Sequence, residues 1–249
     1  MEVIKVKNLT KDYGRQRGCF DVSFSVLKGE VFGFLGPNGA GKTTAIRHLL
    51  GFSKPQSGGC EILGLDCWKE PHKVQEHIGY IPGEIAFPSN MNGWQYIKKI
   101  AEMRRLKDLS RAEELCEYFQ LAAGGEMKRM SKGMKQKVAL VIAFMHDSDI
   151  IILDEPTSGL DPLMQERFCE LILKEKARGK TILMSSHMFD EIEKTCDRVA
   201  IIRHGKLVVE AVDLKEMNER KDPEYMMPAK FSLEKYFMSY YKNQQEEQK

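Results

Sequence analysis

The amino-acid sequence predicts an α/β fold in which a parallel β-sheet forms the core, an antiparallel β subdomain lies beside it, and a helical subdomain is inserted between two strand-rich regions. Three observations support this prediction. Short apolar runs alternate with helical segments after residue 147, residues 20–26 alternate between apolar and polar side chains, and the apolar spacing becomes helical from Asn92 onward. A chain of 249 residues can bury one large core together with a subdomain.

The antiparallel part is expected near the N-terminus. Residues 3–6 alternate like a half-buried strand, and residues 20–26 place two Phe and two Val side chains on one face. Residues 28–30 read as a turn that leads into the apolar run 31–35, which is typical of a buried strand.

The glycine-rich stretch at residues 36–44, GPNGAGKTT, follows this strand and opens a short helix. The first and last of its three glycines enclose four residues and precede a Lys and a hydroxyl residue, which is the pattern of a phosphate-binding loop. Glycines let backbone N–H groups approach phosphate oxygens, Lys42 can reach the β- and γ-phosphates, and Thr43 offers a hydroxyl to Mg²⁺. A helix N-terminus contributes up to about 2 kcal/mol to binding an anion. The residues expected to contact the nucleotide are Gly36, Pro37, Asn38, Gly39, Ala40, Gly41, Lys42, Thr43 and Thr44.

The inserted helical block carries apolar residues at helical spacing from Trp94 to Leu106. Residues 110–113, Ser-Arg-Ala-Glu, predict a capping box that starts a second helix, and residues 132–145 predict a third. Buried strands then return at 150–153, 181–184 and 198–202, separated by helices at 162–178 and 189–195. Strands that alternate with helices indicate a parallel sheet.

The strand at 150–153 ends in two carboxylates, Asp154 and Glu155. Because ligands of such sheets bind at the carboxyl ends of the strands, both side chains are candidates for a site. Asp154 can hold Mg²⁺ directly or through a water, and Glu155 can polarise an attacking water, an effect of roughly 10²–10⁴-fold in rate.

Over about residues 1–210 the sequence resembles the ATP-binding subunit of ATP-binding cassette (ABC) transporters. Residues 131–136, Ser-Lys-Gly-Met-Lys-Gln, match the family signature, and residues 158–161, Ser-Gly-Leu-Asp, match the D-loop. His187 matches the switch histidine, and Tyr13 matches the aromatic residue that stacks on adenine. The resemblance implies a phosphate-loop, RecA-like core with its β subdomain at 1–88 and 147–210, and a helical subdomain at 89–146. A C-terminal helical extension and polar tail would follow at 211–249.

The resemblance also implies a mechanism in which two cassettes pack head to tail, with each ATP between one phosphate loop and the opposite signature. Glu155 and His187 would be catalytic, and Asp161 would link the two sites. The signature residues that would contact the nucleotide are Ser131, Lys132, Gly133 and Met134.

Three positions depart from the family pattern. Gly83 stands where the family usually has a Gln that contacts Mg²⁺ or water, and we expect that Glu84 or a water takes over this role. Lys132 replaces a Gly, where it either adds positive charge near ATP or points to solvent, and Met134 replaces a Gln. The signature run is similar to that of cassettes serving ABC-2 type exporters.

The C-terminal segment has aromatic and apolar residues at helical spacing, namely Phe231, Leu233, Tyr236, Phe237, Tyr240 and Tyr241. This segment either packs on its own domain or contacts a second cassette or a permease. The polar end, 244–249, is expected to be disordered.

The composition of the chain limits the cellular locations and the binding partners that are expected for the protein. The net charge of +2 argues against a dedicated nucleic-acid binder, and no apolar run approaches the ~20 residues of a membrane helix. The N-terminus has charges where a signal peptide is apolar, and the six cysteines form no Cys-x-x-Cys pair, which argues against a zinc site or disulfide framework. We therefore expect a cytoplasmic protein that reaches the inner face of the cell membrane through a partner.

The expected function is that of a Mg²⁺-dependent ATPase subunit that drives a separate exporting permease, as a homodimer or a mixed pair. One alternative is a soluble cassette ATPase acting on nucleic acid or ribosomes, although the chain has neither long coiled-coil inserts nor a second cassette. Another alternative is a phosphate-loop kinase, which would leave the signature, the D-loop and His187 unexplained.

Overall fold

The computed structural model describes residues 1–220, 224, 226–227 and 230–246. Its strands are β1 (Glu2–Asp12), β2 (Gly18–Leu27), β3 (Val31–Leu35), β4 (Ser57–Ile62), β5 (Leu65–Asp66), β6 (Ile78–Ile81), β7 (Ile150–Asp154), β8 (Thr181–Ser186), β9 (Arg198–Arg203), β10 (Lys206–Asp213), β11 (Met226–Met227) and β12 (Lys230–Phe231). Its helices are α1 (Lys42–Leu49), α2 (Pro71–Glu76), α3 (Gly93–Met103), α4 (Ser110–Tyr118), α5 (Lys132–Phe144), α6 (Pro162–Ala177), α7 (Phe189–Thr195), α8 (Leu214–Arg220) and α9 (Leu233–Glu246).

The central sheet has six strands in the order β10-β9-β3-β8-β7-β6. All neighbouring pairs are parallel except β9 and β10, which are antiparallel. Strands β3, β7 and β8 are buried along their whole length, as expected for parallel strands that are covered on both faces. The predicted α/β fold with a parallel core is confirmed.

The second sheet has the order β2-β1-β4-β5 and is antiparallel, as predicted. Its Phe24 stacks on Phe32 of β3 with ring centroids 5.4 Å apart. One hydrophobic core joins this sheet to one face of the central sheet and to Ile46 and Leu49 of α1. The helix that follows the phosphate loop is therefore fixed by packing from both sheets.

Helices α3, α4 and α5 lie between β6 and β7 in the chain and share a second core with α6 and the central sheet. Helix α3 begins with a capping box, in which Asn92 Oδ1 accepts from Gln95 N at 2.8 Å and Gln95 Oε1 accepts from Asn92 N at 2.9 Å. The capping box predicted at residues 110–113 is wrong. Ser110 is the first helical residue, and its N–H and hydroxyl both donate to the Asp108 carboxylate, so that its side chain does not cap the helix.

The C-terminal helix α9 packs on its own domain, against α7, which was one of the two alternatives. Residues 244–246 continue this helix rather than being disordered, whereas residues 247–249 and the side chains of Tyr240 and Tyr241 lie outside the described residues. Within the ranges described, no helix is long and apolar enough to span a bilayer. The domain boundaries at 88/89, 146/147 and 210/211 stay predictions.

Candidate nucleotide-binding and catalytic site

The phosphate loop connects β3 to α1, and two of its glycines are required by close packing. A Cβ at Gly36 would collide with the carbonyl oxygen of Ile202, and one at Gly41 would collide with that of Gly18. Gly41 also has a φ of +108°, in the left-handed region that favours glycine, and it directly precedes the helix. The loop therefore presents backbone at the N-terminus of α1, which is the arrangement that binds phosphate.

The Lys42 side chain lies buried beneath the loop, with 5% exposure. Its Nζ donates to the carbonyl oxygens of Gly36 at 2.5 Å and Pro37 at 3.2 Å. It also forms an ion pair with Glu155 Oε1 at 3.0 Å. The ammonium group is thus held at the base of the loop by the carboxylate that was predicted to be catalytic.

Glu155 follows β7 in a left-handed conformation, with φ of +50°. Its N–H is held by Ser185 of the adjacent strand β8, through the carbonyl at 3.2 Å and the hydroxyl at 3.1 Å. Its Oε2 lies 2.6 Å from Nδ1 of His187, which follows β8. Pairing of β7 with β8 therefore brings the two predicted catalytic residues, 32 positions apart in the chain, into direct contact.

Asp154 is completely buried at the end of β7. Its Oδ1 accepts from Ser185 Oγ at 2.5 Å, whereas Oδ2 has no hydrogen-bond partner among the described residues. Burial raises the pKa of Asp154, while the hydroxyls of Ser185 and Thr43 act to lower it. An unpartnered carboxylate oxygen beside a Thr hydroxyl fits a hard divalent cation such as Mg²⁺. No group of three or more His, Cys, Asp or Glu side chains that could hold a metal ion occurs in the described ranges.

A cavity of about 380 Å³ opens above the loop. Its lining includes Tyr13, Arg17, Glu155 and residues 38–44. The Tyr13 ring is 55% exposed at this mouth, where a base could stack on it. Arg17 was not among the predicted residues; the only signal in the sequence is the basic turn Arg15-Gln16-Arg17 after Tyr13.

Gly83, which stands where the family usually has a Gln, lies beside the carboxylate of Asp154. A Cβ at Gly83 would stand 2.9 Å from Asp154 Oδ2, so a side chain here would press on the candidate cation ligand. Glu84 is exposed and lines a second cavity together with Thr43 and Glu155. Glu84 therefore faces the same space as these two residues.

The signature and the D-loop form a separate cluster. Lys132 Nζ donates to Ser158 Oγ at 2.7 Å, so this exposed side chain is tied to the D-loop. A Cβ at Gly133 would stand 2.6 Å from the carbonyl oxygen of Gly159, which places the two backbones in close contact. Deeper in the cluster, Gln136 Nε2 donates to the carbonyl oxygen of Pro156 at 2.6 Å.

The remaining predicted residues of this cluster cap helices. Ser131 Oγ accepts from Met134 N at 3.2 Å at the start of α5, and Asp161 Oδ1 accepts from Met164 N at 3.0 Å at the start of α6. Among the described residues, those lining the phosphate-loop cavity include none of residues 131–134 or 158–161. The predicted site is thus divided between two surfaces of one chain.

Comparison with known proteins is consistent with this geometry. A family model for the ABC transporter matches residues 19–158. The uncharacterized ABC transporter ATP-binding protein YhcH of Bacillus subtilis (strain 168) is 37% identical over 209 residues, covering 83% of this chain and 68% of that protein. The bacitracin transport ATP-binding protein BcrA of Bacillus licheniformis is 38% identical over 213 residues, covering 84% of this chain and 69% of that protein.

A solved structure of the ATP-binding subunit of an ABC transporter superposes with a TM-score of 0.83 at 29% identity, covering 96% of this chain and 99% of that one. The family model spans more than half of the chain, and the chain spans about two thirds of both relatives. These matches leave the phosphate-loop kinase without support. The chain belongs to the ABC transporter family, as a nucleotide-binding, ATP-hydrolysing cassette.

Proposed function

We propose that this chain drives a separate membrane permease by hydrolysing ATP between two cassettes packed head to tail. One observation carries the proposal: the signature and D-loop residues are joined to each other by Lys132 and Ser158, yet they do not line the phosphate-loop cavity of their own chain. The N-terminus of α5 is a suitable partner for a phosphate group. A second cassette would bring such a surface to the open cavity.

The contacts support the following proposed roles for the residues. On ATP binding, Lys42 would exchange the Glu155 carboxylate for phosphate oxygens, and the loop N–H groups would hold the remaining phosphate charge. Glu155, released from Lys42, would accept a proton from the attacking water while His187 orients its carboxylate. Tyr13 would stack on the base.

Thr43 and Asp154 would hold Mg²⁺, with Glu84 beside them in place of the missing Gln. The cation would neutralise charge on the phosphate oxygens. Ser131, Lys132, Gly133 and Met134 would face the nucleotide of the second cassette, and Asp161 would lie at the contact between the two sites. In this arrangement residues 89–146 act as the helical subdomain, residues 1–88 and 147–210 as the core, and residues 211–249 as an extension.

The permease partner and the export direction rest on two similarities. BcrA is described as a transport protein for bacitracin, and the run at 131–136 resembles cassettes of ABC-2 type exporters. The cassette would then lie at the inner face of the cell membrane through this permease. No nucleic-acid partner is proposed, since the net charge is only +2.

Affinity purification of the full chain from detergent-solubilised membranes tests the permease. The expected companion is a protein with several membrane spans, and its presence should change the rate of ATP hydrolysis. Recovery of the chain with ribosomes or nucleic acid instead would favour the soluble cassette.

Light scattering with and without Mg²⁺ and ATP tests the pairing of cassettes. The Glu155→Gln variant is expected to double its mass when ATP is present, because binding is retained and hydrolysis is not. The Lys42→Ala variant, which lacks the phosphate contact, should stay at the mass of one chain. A Glu155→Gln protein that remains a monomer at saturating ATP would contradict the paired arrangement.

A further inference from the structure

The C-terminal helix α9 lies outside residues 19–158, which the family model matches, yet its Phe237 lines a cavity with His187, one of the proposed catalytic residues. Leu233 at its start is completely buried, and its N–H donates to Glu193 Oε1 of α7 at 2.7 Å. One turn later Phe237 is 7% exposed and packs on Phe189, with ring centroids 5.2 Å apart. Helix α9 is therefore anchored on α7 at two points.

Phe189 is the first residue of α7 and stands two positions after His187. Phe237 lines a cavity of about 270 Å³ together with His187, Phe189 and the loop residues Pro37 and Asn38. A single side chain of the C-terminal helix thus borders both the switch histidine and the phosphate loop.

The segment that carries His187 is held from the inside by a buried carboxyl group. Ser186 Oγ donates to Glu191 Oε2 at 2.5 Å and accepts from Met188 N at 3.0 Å. The His187 side chain is itself 49% exposed, and its contact with Glu155 is a single hydrogen bond. The packing of Phe237 on Phe189 at the start of α7 therefore helps to fix the position of the His187 imidazole.

Helix α7 has only seven residues, too few to be stable without tertiary packing. Removing the Phe237 ring would leave space beside Phe189 and let the first turn of α7 shift. Hydrogen bonds weaken steeply as their geometry degrades, and a misplacement of about 1 Å far from the chemistry can cost about 10²-fold in rate.

We propose that Phe237 is a positioning residue for ATP hydrolysis: by packing on Phe189, it holds His187 within hydrogen-bond distance of Glu155 and so sets the rate of the chemical step without contacting ATP. The inference rests on the proposed role of His187. It assigns the C-terminal extension a part in catalysis by its own chain.

The test compares four variants of the full chain in steady-state ATP hydrolysis and in equilibrium binding of ATP. Phe237→Ala is expected to lower kcat about tenfold while KM and the amount of ATP bound per chain stay within twofold. Phe237→Leu, which restores apolar packing, should recover most of kcat. Met238→Ala is the matched control, because Met238 is the next residue and is 46% exposed, and it should behave like the parent.

His187→Ala separates this inference from the function on which it rests. If His187→Ala keeps the parental kcat, the proposed role of His187 fails. If it loses activity while Phe237→Ala does not, only the role of Phe237 is overturned. The role of Phe237 would also be overturned if Phe237→Ala lost kcat and bound ATP by the same factor. A smaller fraction of folded molecules would then explain both losses. Should Phe237→Ala not fold, Phe189→Ala tests the same contact from the other side, because Phe189 is only partly buried. A parental kcat in that variant refutes the proposal.

Discussion

Replacing Glu155 by Gln should tighten ATP binding as well as abolish hydrolysis. In the structure Lys42 and Glu155 are 3.0 Å apart and largely shielded from water, with side-chain exposures of 5% and 18%. ATP must therefore compete with Glu155 for the ammonium group. Gln keeps the shape of the side chain and removes the competing charge.

The size of the effect follows from this geometry. At 3.0 Å and an effective dielectric constant of about 20, the gross attraction is about 5.5 kcal/mol. Desolvation offsets much of this attraction, and an ammonium left without its partner is costly, so we expect ATP to bind more tightly by about 2 kcal/mol in the variant. This corresponds to about 30-fold in Kd. Hydrolysis should fall by roughly 10²–10⁴-fold, the contribution of a positioned base.

The assay is equilibrium titration with a non-hydrolysable ATP analogue, combined with measurement of phosphate release. Glu166→Gln is the matched control, since Glu166 is exposed on α6 and its replacement should leave both quantities unchanged. The reasoning is refuted if Glu155→Gln binds the analogue no more tightly than the parent, or if it retains more than about a tenth of the parental turnover.

Three further changes probe other parts of the site. Tyr13→Ala should weaken binding of the ATP analogue by about 1–3 kcal/mol with little change in kcat, because it removes only the stacking surface; an unchanged Kd would contradict this. Glu84→Ala should lower Mg²⁺-dependent turnover, and equal activity across a magnesium titration would remove Glu84 from the site. Burial raises the pKa of Glu191 to about 7 from 4.5, so the parent should lose stability as pH rises from about 5 to about 8, when the carboxyl group must ionise inside the protein. Glu191→Gln should lack this loss, which urea unfolding at the two pH values can measure; the same pH dependence in both proteins would show that Glu191 is not its source.

Local patterns made much of the fold predictable. The phosphate loop is recognisable from glycines at positions where the backbone closely approaches other backbone atoms. Strand β2 is recognisable from its alternating side chains and strand β7 from its apolar run, and both patterns involve only neighbouring residues. The order of these segments was sufficient to predict a parallel sheet with an antiparallel part beside it. Helix α6 likewise begins at a local signal, since Asp161 caps it and Pro162 occupies its first position.

Contacts between distant segments were not predictable in the same way. The bond between Glu155 and His187 depends on β7 lying next to β8, and Ser185 is recognised as a partner of Asp154 only once that pairing is known. The capping box at Ser110 failed for a local reason, since Asp108 competes for the same donors. The helical spacing of the C-terminal segment predicted a helix but did not predict which surface α9 would pack against.

The buried hydrogen bond from Gln136 to the carbonyl oxygen of Pro156 has a mechanical consequence. Pro156 is the residue immediately after Glu155, so a tilt of α5 would shift the backbone next to the proposed general base. A membrane partner that moved α5 would therefore displace Glu155 relative to the attacking water, because the hydrogen bond from Gln136 joins α5 to Pro156.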